Sequence, residues 1–227
     1  MRVLGIDTST YYLSVAYLDD DRVLGEINFN IGPSHSEWLL PTIDWLLKGI
    51  GKDRNDIGGI SVSKGPGSFT ALRVGISTAK GLAFSLGVPM VGVSSLEVLA
   101  LNLLYPSYTV CSLIDARKNQ VYAALFRFSG RKFERLTEDM LISPQELIDY
   151  ISEETIFIGD GVTHYRDIIK DVLGELALLC PTNFNFPRAS NCAKLGVSMF
   201  DGQGVSSFNE INPQYLRKSD AEILKEG

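Results

Sequence analysis

The sequence predicts an α/β fold built as two consecutive units, residues 1–104 and 105–227. Three observations carry this. The chain opens with β-rich runs joined by short turns, continues with alternating strand and helix signals, and then loosely repeats that order in its second half.

In the first unit, "RVLGIDTS" and "YYLSVAYL" read as strands separated by a short polar gap. "RVLGEINFN" follows the acidic turn Asp19-Asp20-Asp21, giving an antiparallel meander. "IGPSHSE" introduces a helix, with Ser34 and Glu37 at capping-box spacing. Pro41 lies one turn further in, where its missing amide predicts a kink or a late start. "GISVSKG" is a strand, residues 68–86 a helix, "VPMVGV" a strand, and a helix begins near Ser94.

In the second unit, "YTVCSLIDA" and "QVYAALFRF" form a hairpin. Ser143, Pro144 and Glu146 mark a helix start, as cap, first helical residue and capping-box acid. "TIFIGDG" is a strand ending in a turn, and "THYRDIIKDVL" and "NCAKLGVSMF" are helices. The boundary falls near Tyr105–Tyr108, and no short repeat of the solenoid kind is present.

Composition bounds the function. The 227 residues carry a formal net charge of -6, with no basic stripe of the sort a free-standing nucleic-acid binder uses on phosphates. Nucleic acid would then be held through a partner. The three scattered cysteines, without a CxxC pair, fit reduced thiols in a cytoplasmic protein. The N-terminus lacks a signal-peptide pattern, and no apolar run is long enough to span a membrane.

Two segments have the residue types of a phosphate site. Asp7 ends the first strand and precedes Thr8 and Ser9, so its carboxylate can hold magnesium or orient a phosphate, or can cap its own turn. Gly65, Gly67 and Ser68 open a helix, where exposed amides favour an anion. The loop has neither the lysine-hydroxyl ending of a P-loop nor a GxGxxG pattern. His35 and His164 are too far apart for a histidine-pair metal site.

Two helices carry unusual faces. Along 68–86, Phe69, Leu72, Ile76, Ala79 and Ala83 form a core face, and Arg73, Ser77, Lys80 and Phe84 a second stripe. In the helix before it, Leu39, Ile43, Leu46 and Leu47 suit the core, while Trp38, Pro41 and Trp45 lie on another stripe beside Glu37, Asp44 and Lys48. Both tryptophans of the chain are there. Such anchors mark a protein interface, unless they pack against the chain's own second unit.

Taken in order, "LGIDTS", "HSEWLLPTID", "SKGPGSFTALRVGISTAKGLA", "VPMVGVSSLEVLA", "IDARKNQVYAALF", "GDGVTHY" and "NPQYLRKSD" resemble the bacterial TsaB (YeaZ) family of the threonylcarbamoyladenosine tRNA-modification pathway. The resemblance spans nearly the whole chain. It implies two tandem domains of the actin/hexokinase/Hsp70 (ASKHA) type. It also implies a non-catalytic subunit that activates a larger paralogue, the transferase TsaD, alongside an ATPase, TsaE. The expectation is that tRNA is reached only through the complex and that ATP or ADP binds, if at all, only at the partner interface; the exposed helix stripe, not the resemblance, suggests a homodimer when the chain is alone.

By the same resemblance, the HxxxH metal pair of the catalytic paralogue falls on Ser95 and Leu99, which cannot serve as its ligands. No metal is therefore expected, and a metallopeptidase reading loses its basis. The turn Asp115–Asn119 carries long side chains where an ASKHA nucleotide site needs small ones, although Arg117 and Lys118 would attract a phosphate. "GDG" at 159–161 falls where that fold holds an adenosine. The alternative from another class is a self-sufficient ATP-dependent transferase or kinase using Asp7 and the Gly65–Ser68 loop.

Overall fold

A computed structural model describes residues 1–103, 106–130, 132–202 and 210–217. Leu104 and Tyr105, at the expected boundary, and Lys218–Asp220 of the last motif lie outside the described residues.

The first sheet comprises β1 (Arg2–Asp7), β2 (Tyr12–Asp19), β3 (Arg22–Asn30), β4 (Gly59–Gly65) and β5 (Met90–Ser94), in the order β3-β2-β1-β4-β5. The meander is antiparallel, and β4 and β5 add in parallel. The parallel additions require crossovers. These are α1 (His35–Gly49) and α2 (Phe69–Leu86), followed by α3 (Ser95–Ala100).

The second sheet contains β6 (Thr109–Arg117), β7 (Gln120–Ser129), β8 (Lys132–Arg135), β9 (Met140–Ile142), β10 (Thr155–Ile158) and β11 (Ala177–Leu179). Its order is β11-β10-β6-β7-β8, with β9 also on β7. Strand for strand the two sheets match in order and direction, β6 standing where β1 stands. The helices α4 (Pro144–Ile148), α5 (Asp160–Leu173) and α6 (Ala189–Asp201) take the chain positions of α1 to α3. The loose repeat read from sequence is thus a repeat of topology. The short strands β8, β9 and β11 were not legible in it.

The cores follow the apolar periodicities. Leu39, Ile43, Leu46 and Leu47 of α1, and Ile76, Ala79 and Ala83 of α2, pack on Leu4, Ile6, Val15 and Val62. Leu72, also expected on that core face, is fully buried. The last helix of each half crosses over. α3 buries Leu96, Leu99 and Ala100 among Val110, Ile114 and Phe126 of the second sheet. α6 presents Ala189 and Ala193 to Val3, Ala16 and Leu18 of the first. The approach is close enough that a Cβ on Gly5 would stand 2.2 Å from the Ala189 carbonyl oxygen.

Two local expectations are corrected. Ser34 does not form a capping box: its ψ of 27° is outside the extended range a cap requires, and its side chain makes no capping bond. By contrast, Ser143, at ψ 153°, closes the full box with Glu146. Pro41 neither delays nor interrupts α1, which starts at His35 and continues to Gly49. The Glu37 carbonyl that it deprives of a helical donor lies on an exposed turn, where water can serve it.

Candidate functional site

The phosphate-type residues do come together. Asp7 ends β1 beneath the loop between β4 and α2, with Thr8 and Ser9 between them. Asp7 is only 1% exposed. Its Oδ1 accepts from the Ser9 amide at 2.9 Å and the Ser9 hydroxyl at 2.8 Å, and its Oδ2 accepts from the Ser63 hydroxyl. Burial pushes this carboxyl above its ordinary range, against the pull of those donors and of His35. Burial also lowers the pKa of His35, whose Nε2 lies 3.4 Å from the Tyr12 carbonyl oxygen.

The cradle is filled by the chain itself. The Ser68 amide donates to the Ser9 carbonyl at 2.8 Å, and the Thr8 hydroxyl to the Ala71 carbonyl at 2.8 Å. A Cβ on Gly67 would sit 2.3 Å from the Ser9 carbonyl oxygen, and one on Gly75 2.3 Å from the Thr8 hydroxyl. The glycines therefore admit the β1–β2 turn. Gly65, at φ +115°, also meets the C-terminal segment, where a Cβ would lie 2.9 Å from the Gln214 carbonyl oxygen.

The second half has a comparable carboxylate near the end of β6, Asp115. It accepts from the Arg117 amide at 2.9 Å and the Tyr165 hydroxyl at 3.2 Å, and its own amide donates to Asp160 at 3.1 Å. Burial raises the pKa of Asp160 to about 6. The guanidinium of Arg117 donates to the Tyr11 hydroxyl at 2.9 Å, so this cation is engaged across the two halves. Gly159 and Gly161 of "GDG" serve close packing: their Cβ positions meet the Leu113 carbonyl at 2.1 Å and 3.1 Å. Asp115 and Asp160 lie in the two segments that the resemblance placed at a nucleotide site, but their pairing was not legible in the sequence, because it joins two distant segments.

Ser95 and Leu99, the positions on which the resemblance places a metal pair, are fully buried on α3. Ser95 Oγ lacks a hydrogen-bond partner among the described residues, and no metal-holding group of three or more His, Cys, Asp or Glu occurs among them. The cysteines are free and buried, and burial raises their thiol pKa values, that of Cys180 to about 11 and that of Cys192 to about 12. No helix among the described residues is long and apolar enough to cross a membrane.

The second candidate is the outer face of α1 and α2, which pack side by side. Trp38, Pro41 and Trp45 are exposed on α1, and Arg73, Ser77 and Phe84 on α2, with Lys80 half-buried. Phe84 is 82% exposed, an unusual state for such a ring. The indoles meet edge-on at 5.9 Å, and Phe29 of β3 meets Trp38 at 6.2 Å. The tryptophans therefore keep to the outer face of their own half. Phe29 extends the strip and was missed in the sequence, where it reads only as an edge-strand aromatic. Phe69, expected in the core face, is half-buried and stacks on Tyr215 at 4.2 Å.

An activator of the 2-hydroxyisocaproyl-CoA dehydratase from Clostridium difficile, solved with bound ADPNP, shares this fold at a TM-score of 0.51. It is 11% identical, over 88% of this chain and 95% of that one. The paired mixed sheets, with a strand-end carboxylate beneath a glycine turn, define an α/β protein of the ASKHA type. The family model for TsaD, tRNA N6-adenosine threonylcarbamoyltransferase, matches residues 30–225. The tRNA threonylcarbamoyladenosine biosynthesis protein TsaB of Bacillus subtilis (strain 168) is 32% identical, over 98% of this chain and 96% of its own length. The chain belongs to the TsaB (YeaZ) family. YeaZ from Pseudomonas aeruginosa superposes with a TM-score of 0.81 at 26% identity, covering 95% of this chain and 99% of that one.

Proposed function

We propose that this chain is a non-catalytic subunit in the formation of threonylcarbamoyladenosine in tRNA, binding and activating a TsaD-type transferase. The names of its homologues support the pathway. The observation that carries the subunit role is the exposed Phe29–Trp38–Trp45 cluster, with exposed Phe84 on the neighbouring helix α2, together with a phosphate cradle whose groups are already bonded to each other.

Two tandem ASKHA domains, 1–104 and 105–227, are the reading that the matching strand orders support. A partner matched by the same family model has the same fold, so its counterpart helices complete a four-helix bundle with α1 and α2. In the absence of that partner, a second copy of this chain takes its place. The ATPase TsaE joins the assembly, tRNA is engaged through the complex, and ATP or ADP enters only at the partner interface. The chain itself holds no metal and works in the cytoplasm.

The test is titration of the wild type, Trp38→Glu and Trp45→Glu with the transferase from the same genome. Replacing a buried tryptophan anchor by a charge costs on the order of 2–4 kcal/mol, roughly 30- to 1,000-fold in affinity. Folding survives, because the Leu39–Leu47 core stripe is untouched. Wild-type affinity in both folded variants would refute the interface. Phosphate release from ATP by the isolated chain at roughly 1 per second or more, abolished by Asp7→Ala, would instead establish the self-sufficient enzyme.

A further inference from the structure

Of the "NPQYLRKSD" segment, singled out in the sequence and given no task by the proposed function, the described residues Asn212–Arg217 lie as a strap across both halves. Ile211 is buried in the first core. The Gln214 amide donates to the Lys64 carbonyl at 2.7 Å, and its side chain to Asp139 at 2.8 Å. Leu216 packs on the second core, and Arg217 donates to the Ala116 carbonyl at 3.1 Å. Tyr215, between these anchors, contacts α2 instead. Its ring stacks on Phe69 at 4.2 Å, and its hydroxyl accepts from Arg73 Nε at 2.8 Å.

Arg73 belongs to the stripe of α2 that faces outward with Ser77 and Phe84. Its guanidinium carbon stands 4.0 Å from the Phe69 ring centroid and 5.6 Å from that of Tyr215. A surface arginine ordinarily samples many rotamers, and fixing them on binding costs affinity. Here two rings and one hydrogen bond fix the plane beforehand. Nε is used, and among the described residues the two terminal nitrogens have no hydrogen-bond partner. A guanidinium held this way is ready to receive a carboxylate.

The acceptor follows from charge complementarity. In this chain the stripe beside the tryptophans of α1 carries Glu37 and Asp44, the latter paired with Lys48 at 2.6 Å, while α2 carries Arg73 and Lys80 and no acid. A partner with the same fold, packed helix pair against helix pair, brings its counterpart of α1 over α2. We infer that Tyr215 is a positioning residue of the partner-binding face: it presets Arg73 to pair with a carboxylate on the first long helix of the like-fold transferase. The inference rests on the α1–α2 interface reading and adds a regulator to it, because the strap that aims Arg73 is anchored in both halves.

The experiment titrates the full chain with the transferase from the same genome at low and high salt. Four variants are compared with the wild type: Arg73→Ala, Tyr215→Phe, their combination and Trp38→Glu. Arg73→Ala is expected to weaken binding roughly 10- to 30-fold. Tyr215→Phe keeps the stack, loses the hydroxyl, and weakens binding roughly 5-fold. The double variant binds no worse than Arg73→Ala, and all three lose salt sensitivity. In nitrogen-15 spectra of the free chain, the Arg73 Nε–H resonance is exchange-protected and loses that protection in Tyr215→Phe. Wild-type affinity in Tyr215→Phe, additive losses in the double variant, or an Nε–H signal unaffected by the hydroxyl would each overturn the proposal. If Trp38→Glu abolishes binding while Tyr215→Phe does nothing, only the positioning role falls. If Trp38→Glu binds as tightly as the wild type, the interface reading falls and takes this one with it.

Discussion

The hydroxyl of Ser63, on β4, donates to Oδ2 of Asp7, on the parallel neighbour β1, and so completes the shell of a carboxylate that solvent does not reach. Two strands that meet only through the fold thus supply a donor to a carboxyl group buried inside it. Removing this donor by Ser63→Ala leaves one carboxylate oxygen short of a partner, at a cost of about 1–3 kcal/mol. The cost has a pH signature. Burial already holds the Asp7 pKa above 3.8, and loss of a donor to the charged form raises it further. The native state then retains a proton that the unfolded chain has released, so stability falls as pH rises above that value. The gap between the urea midpoints of variant and wild type should widen as pH rises above the ordinary carboxylate range; a gap independent of pH would contradict the assignment.

The glycine loop makes a prediction of opposite signs at two positions. Gly67→Ala drives a Cβ to within 2.3 Å of the Ser9 carbonyl oxygen and should destabilise the chain by about 1–3 kcal/mol. Gly81→Ala, in the interior of α2 with open space around the new methyl, should stabilise it by about 0.5–1 kcal/mol. Thermal melts decide. A neutral Gly67→Ala would mean that the loop glycine is not needed for close packing.

Asp160 gives a second titration. Its folded pKa of about 6, against 3.8 ordinarily, means that burial favours its neutral form. The unfolded chain releases this proton first, so the group's contribution to stability declines as pH rises from about 4 to about 6 and is flat above. The full difference is on the order of 3 kcal/mol at 1.36 kcal/mol per unit. Asp160→Asn retains an oxygen to accept from the Asp115 amide and removes the titration. The expected result is a flatter stability profile between pH 4 and 6 and a more stable chain at pH 7.5.

The partner face should extend to the sheet edge. Phe29→Glu places a charge against Trp38 and should weaken transferase binding roughly 10-fold. Tyr150→Glu, at an exposed ring following α4, should leave binding unchanged. Loss of affinity in both variants, or in neither, would remove Phe29 from the strip.

What could be read in the sequence depended on distance along the chain. The periodicities of α1 and α2 gave their core faces because a helix repeats its own environment every few residues. The Ser143 box was legible and formed; the same spacing at Ser34 failed because the backbone entering α1 does not take the extended angle. Strands of three or four residues such as β9 and β11 are too short to show alternation. Both tryptophans announced the outer face. Phe29 and Tyr215 did not, since their neighbours Trp38 and Arg73 come from other segments. Nor does the amphipathic pattern of α6 say which sheet it covers.

That last feature governs how the chain can be made. The first sheet is complete when Ser94 has been added, yet Ala189, which begins the helix sealing its second face, follows about 95 residues later. At roughly 5–20 residues per second on the ribosome, the apolar row of Val3, Ala16 and Leu18 emerges ~5–20 s before its cover. During that interval the nascent N-terminal half presents a naked sheet face to the cell's chaperones. Messages cut short before the codon for Ala189 will yield insoluble or rapidly degraded product, even though every residue of the first sheet has been translated.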